Sequence, residues 1–172
     1  MPDEVTALVS VQSALGTPGV ISASRGMSHF GEHAAGWVAL SAGGALLSRR
    51  HRREWLLVGV GALAAHVAAI VIKMVVRRAR PNDPAIAVNV STPSALSFPS
   101  AHATSSTAAA ILLCRATRSP LPLLVAPLMA VSRLVLGVHY PSDVLAGMGV
   151  GTAVAATAAH LGGPGRRAQT HG

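Results

Sequence analysis

Residues 54–76 read EWLLVGVGALAAHVAAIVIKMVV, and this stretch decides the fold class. After Glu54 it carries no charged residue until Lys73 and no proline, so it reaches the ~20 residues that a helix needs to cross a bilayer core. Four further apolar segments lie around it, at 31–48, 101–115, 119–137 and 142–161, and a weaker one, interrupted by Gly16, Pro18 and Gly19, lies at 5–24. Several are shorter than a full span, so their polar ends must continue the helices or the protein must thin the membrane. The expectation is an all-α integral membrane bundle of about six transmembrane helices, the first one weak. No basic stretch precedes an apolar core in 5–24, so a cleaved signal peptide is not expected.

The composition points the same way. Of 172 residues, 51% are hydrophobic and only 12% charged, which allows one domain, 1–172, and no second core. Ala, Val, Leu and Gly dominate, as in helices that approach closely in a membrane, and Gly147 and Gly151 form a GxxxG spacing read as packing. A formal charge of +8 indicates nucleic acid only where it lies on a soluble face. Here the basic residues fall between apolar segments, so the expected partner is the bilayer and not nucleic acid. Cys114 is the one cysteine, which excludes an intramolecular disulfide and a Cys-based metal site.

Three basic clusters set the predicted topology. RRHRRE (49–54), RATRS (115–119) and Arg166 with Arg167 hold eight of the fourteen basic residues, and alternating spans put all three on one face. By the positive-inside rule that face is cytoplasmic. The long connection 77–100, RRARPNDPAIAVNVSTPSALSFPS, and the turn around His139 then lie on the extracytoplasmic face, and residues 162–172 form a flexible tail.

At that outer level the polar residues gather. Lys73 and Arg80 flank the end of one helix, Arg133 ends another, Ser100, Ala101 and His102 open a third, and His139 and Asp143 introduce the last. Three cations at one depth repel one another unless an anion joins them, and intramembrane charge marks function by default. A phosphate suits them, because arginine offers a planar fork of donors and lysine a point charge. A helix beginning at Pro99 or Ser100 leaves the Ala101 and His102 N–H groups for the same anion, and Ser100 can cap it. A neutral imidazole attacks phosphorus when its other nitrogen faces a carboxylate, and His139 with Asp143 has the residue types. Because Pro141 starts a helix between them, their contact depends on the turn. His102, on another helix, is free to protonate the leaving oxygen.

These three stretches, K73-x6-R80-P81, P99-S100-A101-H102 and S132-R133-x5-H139-x3-D143, together resemble the three-part signature of the type 2 phosphatidic acid phosphatase (PAP2) superfamily. The resemblance covers residues 73–143. It implies a metal-independent lipid phosphatase without a cofactor, in which His139 forms a phosphohistidine, Asp143 orients it and His102 is the general acid that later activates water. Lys73, Arg80, Ser100, the Ala101 N–H and Arg133 would bind the phosphate. The implied substrate is a phosphorylated lipid in the plasma membrane, with decaprenylphosphoryl-5-phosphoribose the leading candidate. Undecaprenyl or decaprenyl pyrophosphate, phosphatidylglycerophosphate and phosphatidate are the alternatives, and a catalytically silent lipid-phosphate-binding protein is the reading from another class.

The family's second motif usually reads PSGH, and here residue 101 is alanine. Its N–H remains, but its Cβ costs ~1–2 kcal/mol if the backbone is left-handed. Other residues receive plainer readings. His66 is expected to bond neighbouring backbone, Trp37 and Trp55 to pack or anchor, and His29, Glu32 and His33 to lie near the outer face where an entrance would be.

Overall fold

The computed structural model describes residues 2–163. The expected tail, 162–172, lies almost wholly outside the described residues, as do Arg166 and Arg167. The chain forms α1 (Pro2–Leu15), α2 (Pro18–Gly31), α3 (Ala35–Leu47), α4 (Arg52–Val76), α5 (Ala101–Thr117), α6 (Val125–Val135) and α7 (Pro141–Leu161). Three short 3₁₀ turns precede α3, α4 and α6.

Local chemistry explains the breaks. Segment 5–24 is not one helix: Gly16 and Pro18 interrupt it, Thr17 caps α2, and Pro18 takes the first helical position, where its missing N–H is harmless. The run from Asp3 to Leu15 and the run from Pro18 to Leu47 meet at 114°. The α4 helix ends where Arg77 turns left-handed (φ 53°) and returns its N–H to the Lys73 carbonyl. Pro120 and Pro122 hold 119–124 out of the α-helix, so the predicted 119–137 segment shortens to the eleven residues of α6.

Among the described residues two stretches, Arg49–Val76 and Pro141–Leu161, are long and apolar enough to cross a membrane, and a third is if the bent N-terminal pair counts as one span. Six crossing helices are therefore not confirmed. The shortfall has a physical reason: α5 opens on the polar run AHATSST, and α6 is too short. Val60, Leu63, Val67, Val71 and Val75 on α4 and Leu145 on α7 are exposed, which gives these helices apolar outer surfaces.

The centre is α4, α5 and α7, packed through small side chains. Ala62, Ala65, Ala108, Ala109 and Ala155 are fully buried around Val58, Leu112 and Trp37. A methyl on Gly151 would stand 2.3 Å from the Thr104 carbonyl oxygen, and one on Gly147 2.8 Å from that of Ser100. The GxxxG pair thus lets the α7 backbone lie against α5, the packing role its spacing predicts. Trp37 donates from Nε1 to Ser106 Oγ at 3.1 Å, fastening α3 to the same core. Cys114 is partly buried, and its thiol donates to the Ala110 carbonyl.

The basic loops collect at one end of this core. Arg115 of α5 pairs with Glu54 of α4 at 3.1 Å and donates to the Gly163 carbonyl beyond α7, also at 3.1 Å.

Candidate active site

At the other end of α4, Lys73 is buried, and its ammonium donates to the carbonyls of Leu96 and Ser97 at 3.1 and 2.9 Å. These contacts fold the 77–100 loop back over the helix end. Ala79 and Leu96 pair across the loop as an isolated β-bridge, and Arg80 is gripped by the same strands of chain. Its Nε donates to the Ser94 carbonyl and its Nη1 to that of Val138, both at 2.7 Å.

Arg80 Nη1 also lies 3.3 Å from His139 Nε2. A guanidinium has only donors, so Nε2 faces it as the acceptor, and a neutral ring then carries its proton on Nδ1. Nδ1 stands 3.6 Å from Asp143 Oδ2, so the turn through Pro141 brings the two residues close, just beyond hydrogen-bond distance, and Nδ1 is buried without a hydrogen-bond partner among the described residues. His139 is buried, and burial, followed by the positive charges of Arg133, Arg80 and Lys73, holds its pKa well below the ordinary imidazole value. The ring is neutral at neutral pH, with its lone pair on the nitrogen facing the cations.

Asp143 is fully buried and closes the α7 N-terminus: its Oδ2 accepts from the Tyr140 N–H at 2.8 Å. The Asp143 carbonyl accepts from the Ser100 N–H at 3.0 Å, which ties the starts of α5 and α7 together. Ser100 caps α5, its Oγ accepting from the Ala103 N–H, so its hydroxyl acts within the helix end. Ala101 is the first residue of an ordinary helical turn and has no positive φ. The left-handed strain considered for an alanine at this motif position therefore does not arise.

Arg133 is 2% exposed; its Nη1 donates to Ser28 Oγ at 2.7 Å, and its Nε is buried without a hydrogen-bond partner in the protein. His102 places Nε2 3.0 Å from the Ser28 carbonyl, which fixes that nitrogen as the protonated one. Ser28 thus touches two predicted site residues. It stands on α2 outside all three motifs, and nothing in its surroundings SHFGEH distinguishes it in the sequence. Gly31 makes room for His102: a methyl there would meet the imidazole Cδ2 at 2.9 Å.

Lys73, Arg80, Ala101, His102, Arg133 and His139 line one cavity of about 350 Å³. The other two predicted residues, Ser100 and Asp143, are fully buried and lie behind its wall. Beyond the cations the cavity runs along α4 past Ile70 to His66, and its rim includes His29, Glu32, His33 and Thr92. The backbone lifts His33 and Ala34 into the left-handed region, φ 51° and 59°. His66 does not bond neighbouring backbone as expected: its Nδ1 is buried with no hydrogen-bond partner, and its ring centroid is 5.8 Å from that of His33.

A helical bundle that gathers three cations, two imidazoles and a buried carboxylate at one end has the charge and the donors that phosphoryl transfer calls for. The PAP2 superfamily profile matches residues 53–164, and the chain belongs to that family. It is similar to the decaprenylphosphoryl-5-phosphoribose phosphatase of Mycobacterium tuberculosis (strain CDC 1551 / Oshkosh), with 57% identity over 96% of this chain and 94% of the relative. The protein of that name from Mycolicibacterium smegmatis is 65% identical over 84% of this chain and 81% of its own length. In fold it resembles the transmembrane PAP2 type phosphatidylglycerolphosphate phosphatase of Bacillus subtilis, with a TM-score of 0.71 at 21% identity over 91% of this chain and 84% of the other. Family and relatives together make the chain a phosphatase.

Proposed function

We propose that the chain removes the 5-phosphate of decaprenylphosphoryl-5-phosphoribose through a phosphohistidine at His139, without a metal. The observation that carries the chemistry is His139 itself, neutral and with Nε2 turned toward Arg80 inside the cavity of cations. The substrate assignment is supported by the mycobacterial relatives and by the shape of the cavity. Its continuation past Ile70 to His66 offers apolar and polar walls beyond the phosphate, suited to a sugar joined to a lipid.

The reaction proceeds in two displacements. His139 Nε2 forms the N–P bond as the P–O bond to ribose C5 breaks, while Lys73, Arg80 and Arg133 balance the charge spread over the phosphoryl oxygens. The leaving oxygen takes a proton from His102, which enters the step as imidazolium and leaves it neutral; its Nε2–H exchanges the Ser28 carbonyl for the substrate oxygen. Water then attacks phosphorus, giving its proton to His102, and inorganic phosphate leaves with His139 restored.

Phosphate release by detergent-purified protein in excess EDTA tests the proposal, run on decaprenylphosphoryl-5-phosphoribose, decaprenyl pyrophosphate, phosphatidylglycerophosphate and phosphatidate beside His139→Ala. Preferred release from the ribosyl lipid, lost in the variant, is expected. Release that survives in His139→Ala refutes the nucleophile, preference for another lipid refutes the substrate, and dependence on added metal refutes the metal-free mechanism. Lipid bound without turnover would indicate a silent binding protein.

The orientation we propose puts the Arg115 end in the cytoplasm of a plasma-membrane protein and the cavity outside, following the positive-inside rule. Val88 is exposed in the 77–100 loop, so Val88→Cys in a Cys114→Ala background should react with an impermeant thiol reagent on intact cells. Labelling only after lysis would reverse the topology.

A further inference from the structure

Arg78 lies two residues before Arg80 and is only 18% exposed, yet among the described residues it does not line the cavity. Its guanidinium turns the other way. Nη1 donates to Asp143 Oδ1 at 3.0 Å and to Ser142 Oγ at 2.6 Å, and the group lies 4.2 Å from the Tyr140 ring centroid, a cation–π distance. Nη2 donates at 2.6 Å to Glu4 Oε2, from the first turn of α1. The other Glu4 oxygen accepts from the Ser142 N–H at 3.2 Å and from the Ser142 hydroxyl.

We infer that Glu4 and Arg78 are positioning residues for the reaction, forming a charge-alternating chain, Glu4–Arg78–Asp143, that holds the Asp143 carboxylate facing His139 Nδ1 and so supports the ring orientation and the tautomer that Arg80 selects. This inference rests on His139 being the nucleophile. Asp143 has two oxygens, and Arg78 holds one while the Tyr140 N–H holds the other on the side of His139 Nδ1. With both fixed, the carboxylate cannot rotate away from the imidazole. A bare guanidinium on Asp143 would weaken its pull on the Nδ1 proton and on the positive ring formed during transfer. The Glu4 carboxylate offsets that charge from the far side. Thus α1 supplies a residue that touches neither substrate nor nucleophile but acts on both through one carboxylate.

The test uses the full-length protein in detergent with Arg78→Met, Arg78→Lys and Glu4→Gln. Imidazole ¹⁵N spectra of histidine-labelled protein, with His139 assigned through His139→Ala, read the tautomer without any substrate. The wild type should show the proton on Nδ1, Arg78→Met a weakened preference because only Arg80 then favours it, and Arg78→Lys a partial return. With phosphatidate or the ribosyl lipid, Arg78→Met should lower kcat ~10–100-fold at nearly unchanged KM, and Glu4→Gln less, as outer partners of an oriented group do. Raised KM with unchanged kcat would make Arg78 a phosphate ligand and overturn the inference. So would an unaltered His139 tautomer in Arg78→Met, or equal losses in the Met and Lys variants accompanied by a lowered melting temperature. Failure to trap phosphohistidine in the wild type would count against the mechanism, while the spectra would still report whether Arg78 orients the ring.

Discussion

Residues 52–161 and residues 2–47 reach the same site by different means. In the first region, α4, α5 and α7 meet through alanine and glycine, backbone close to backbone, and carry seven of the eight predicted site residues on their ends or adjoining turns. Arg133, the eighth, ends α6. In the second region α3 also packs closely, through Trp37 and Gly44, but α1 and α2 arrive through polar side chains. Gln12 bonds the Ala87 backbone, Arg25 the Asn89 carbonyl, Glu4 grips Arg78, and Ser28 touches Arg133 and His102. Close packing fixes where the proposed site groups stand, whereas directional hydrogen bonds adjust how they face. Damage to the first region should therefore abolish activity or stability, and damage to the second should change kinetics by modest factors.

The sharpest separation is expected at Arg133, whose guanidinium is buried at the cavity. Arg133→Met should slow phosphate release ~10²–10³-fold, the usual effect of losing one donor to developing charge. It should also move the pH profile. A pKa depressed below the ordinary value keeps His139 neutral, and so nucleophilic, as pH falls through the normal imidazole range, and the Arg133 charge is the largest contributor after burial. Removing it raises that pKa, so the acid limb of phosphoenzyme formation should shift to higher pH than in the wild type, measured on one lipid. An acid limb that stayed in place would mean that His139 does not govern it.

Next in size is a matched pair of glycines. Gly151→Ala thrusts a methyl to 2.3 Å from the Thr104 carbonyl oxygen, so α7 must move off α5, at ~1–3 kcal/mol. Gly43→Ala, on α3, meets nothing within 4 Å and exchanges a poor helix former for the best one. Melting in detergent should drop for the first and hold or rise for the second. Equal behaviour would dissolve the contrast between the two regions.

The same contrast explains what the sequence revealed. The proposed site residues sit at fixed spacings at the ends of apolar segments, so their gathering at one end of the bundle was legible in 73–143. Helix ends follow local rules at Pro141 and Arg77, the interruption at Pro18 shows in the sequence although the sharp bend there does not, and at Pro122 apolar composition hides the break. Ser28, Glu4 and Arg78 were illegible for another reason. Their roles come from contacts 105, 74 and 65 residues away in the chain, which no local pattern encodes.

Ser28→Ala tests the weaker region directly. It deletes the Oγ that accepts from Arg133 Nη1 at 2.7 Å but leaves the backbone carbonyl on which His102 rests. One hydrogen bond to a charged group is ~1.5–3 kcal/mol when fully lost. Arg133 can turn to water or to the substrate phosphate, so the expected cost is nearer ~1 kcal/mol, a several-fold fall in kcat/KM. A loss as large as that of Arg133→Met would mean that α2 belongs to the catalytic framework and does not merely trim it.

The smallest effect is expected at Ala101, the position where this chain departs from its family's usual glycine. Because Ala101 is the first residue of α5 and has no positive φ, glycine gains nothing there from its conformational freedom. At this position the side chain makes little of the helix's stability, and the N–H that would face a phosphate is common to both residues. Ala101→Gly should therefore lower the melting temperature slightly, by less than ~1 kcal/mol, because the unfolded chain gains freedom. Turnover should stay within about threefold of the wild type, less than ~0.7 kcal/mol in barrier. The cavity lies against this alanine, so any change should appear as altered tolerance among lipid headgroups and not as a uniform gain. A large, headgroup-independent acceleration would show that the methyl obstructs the phosphate itself, and that the close-packed end of α5 is tuned as finely as the polar contacts from α2.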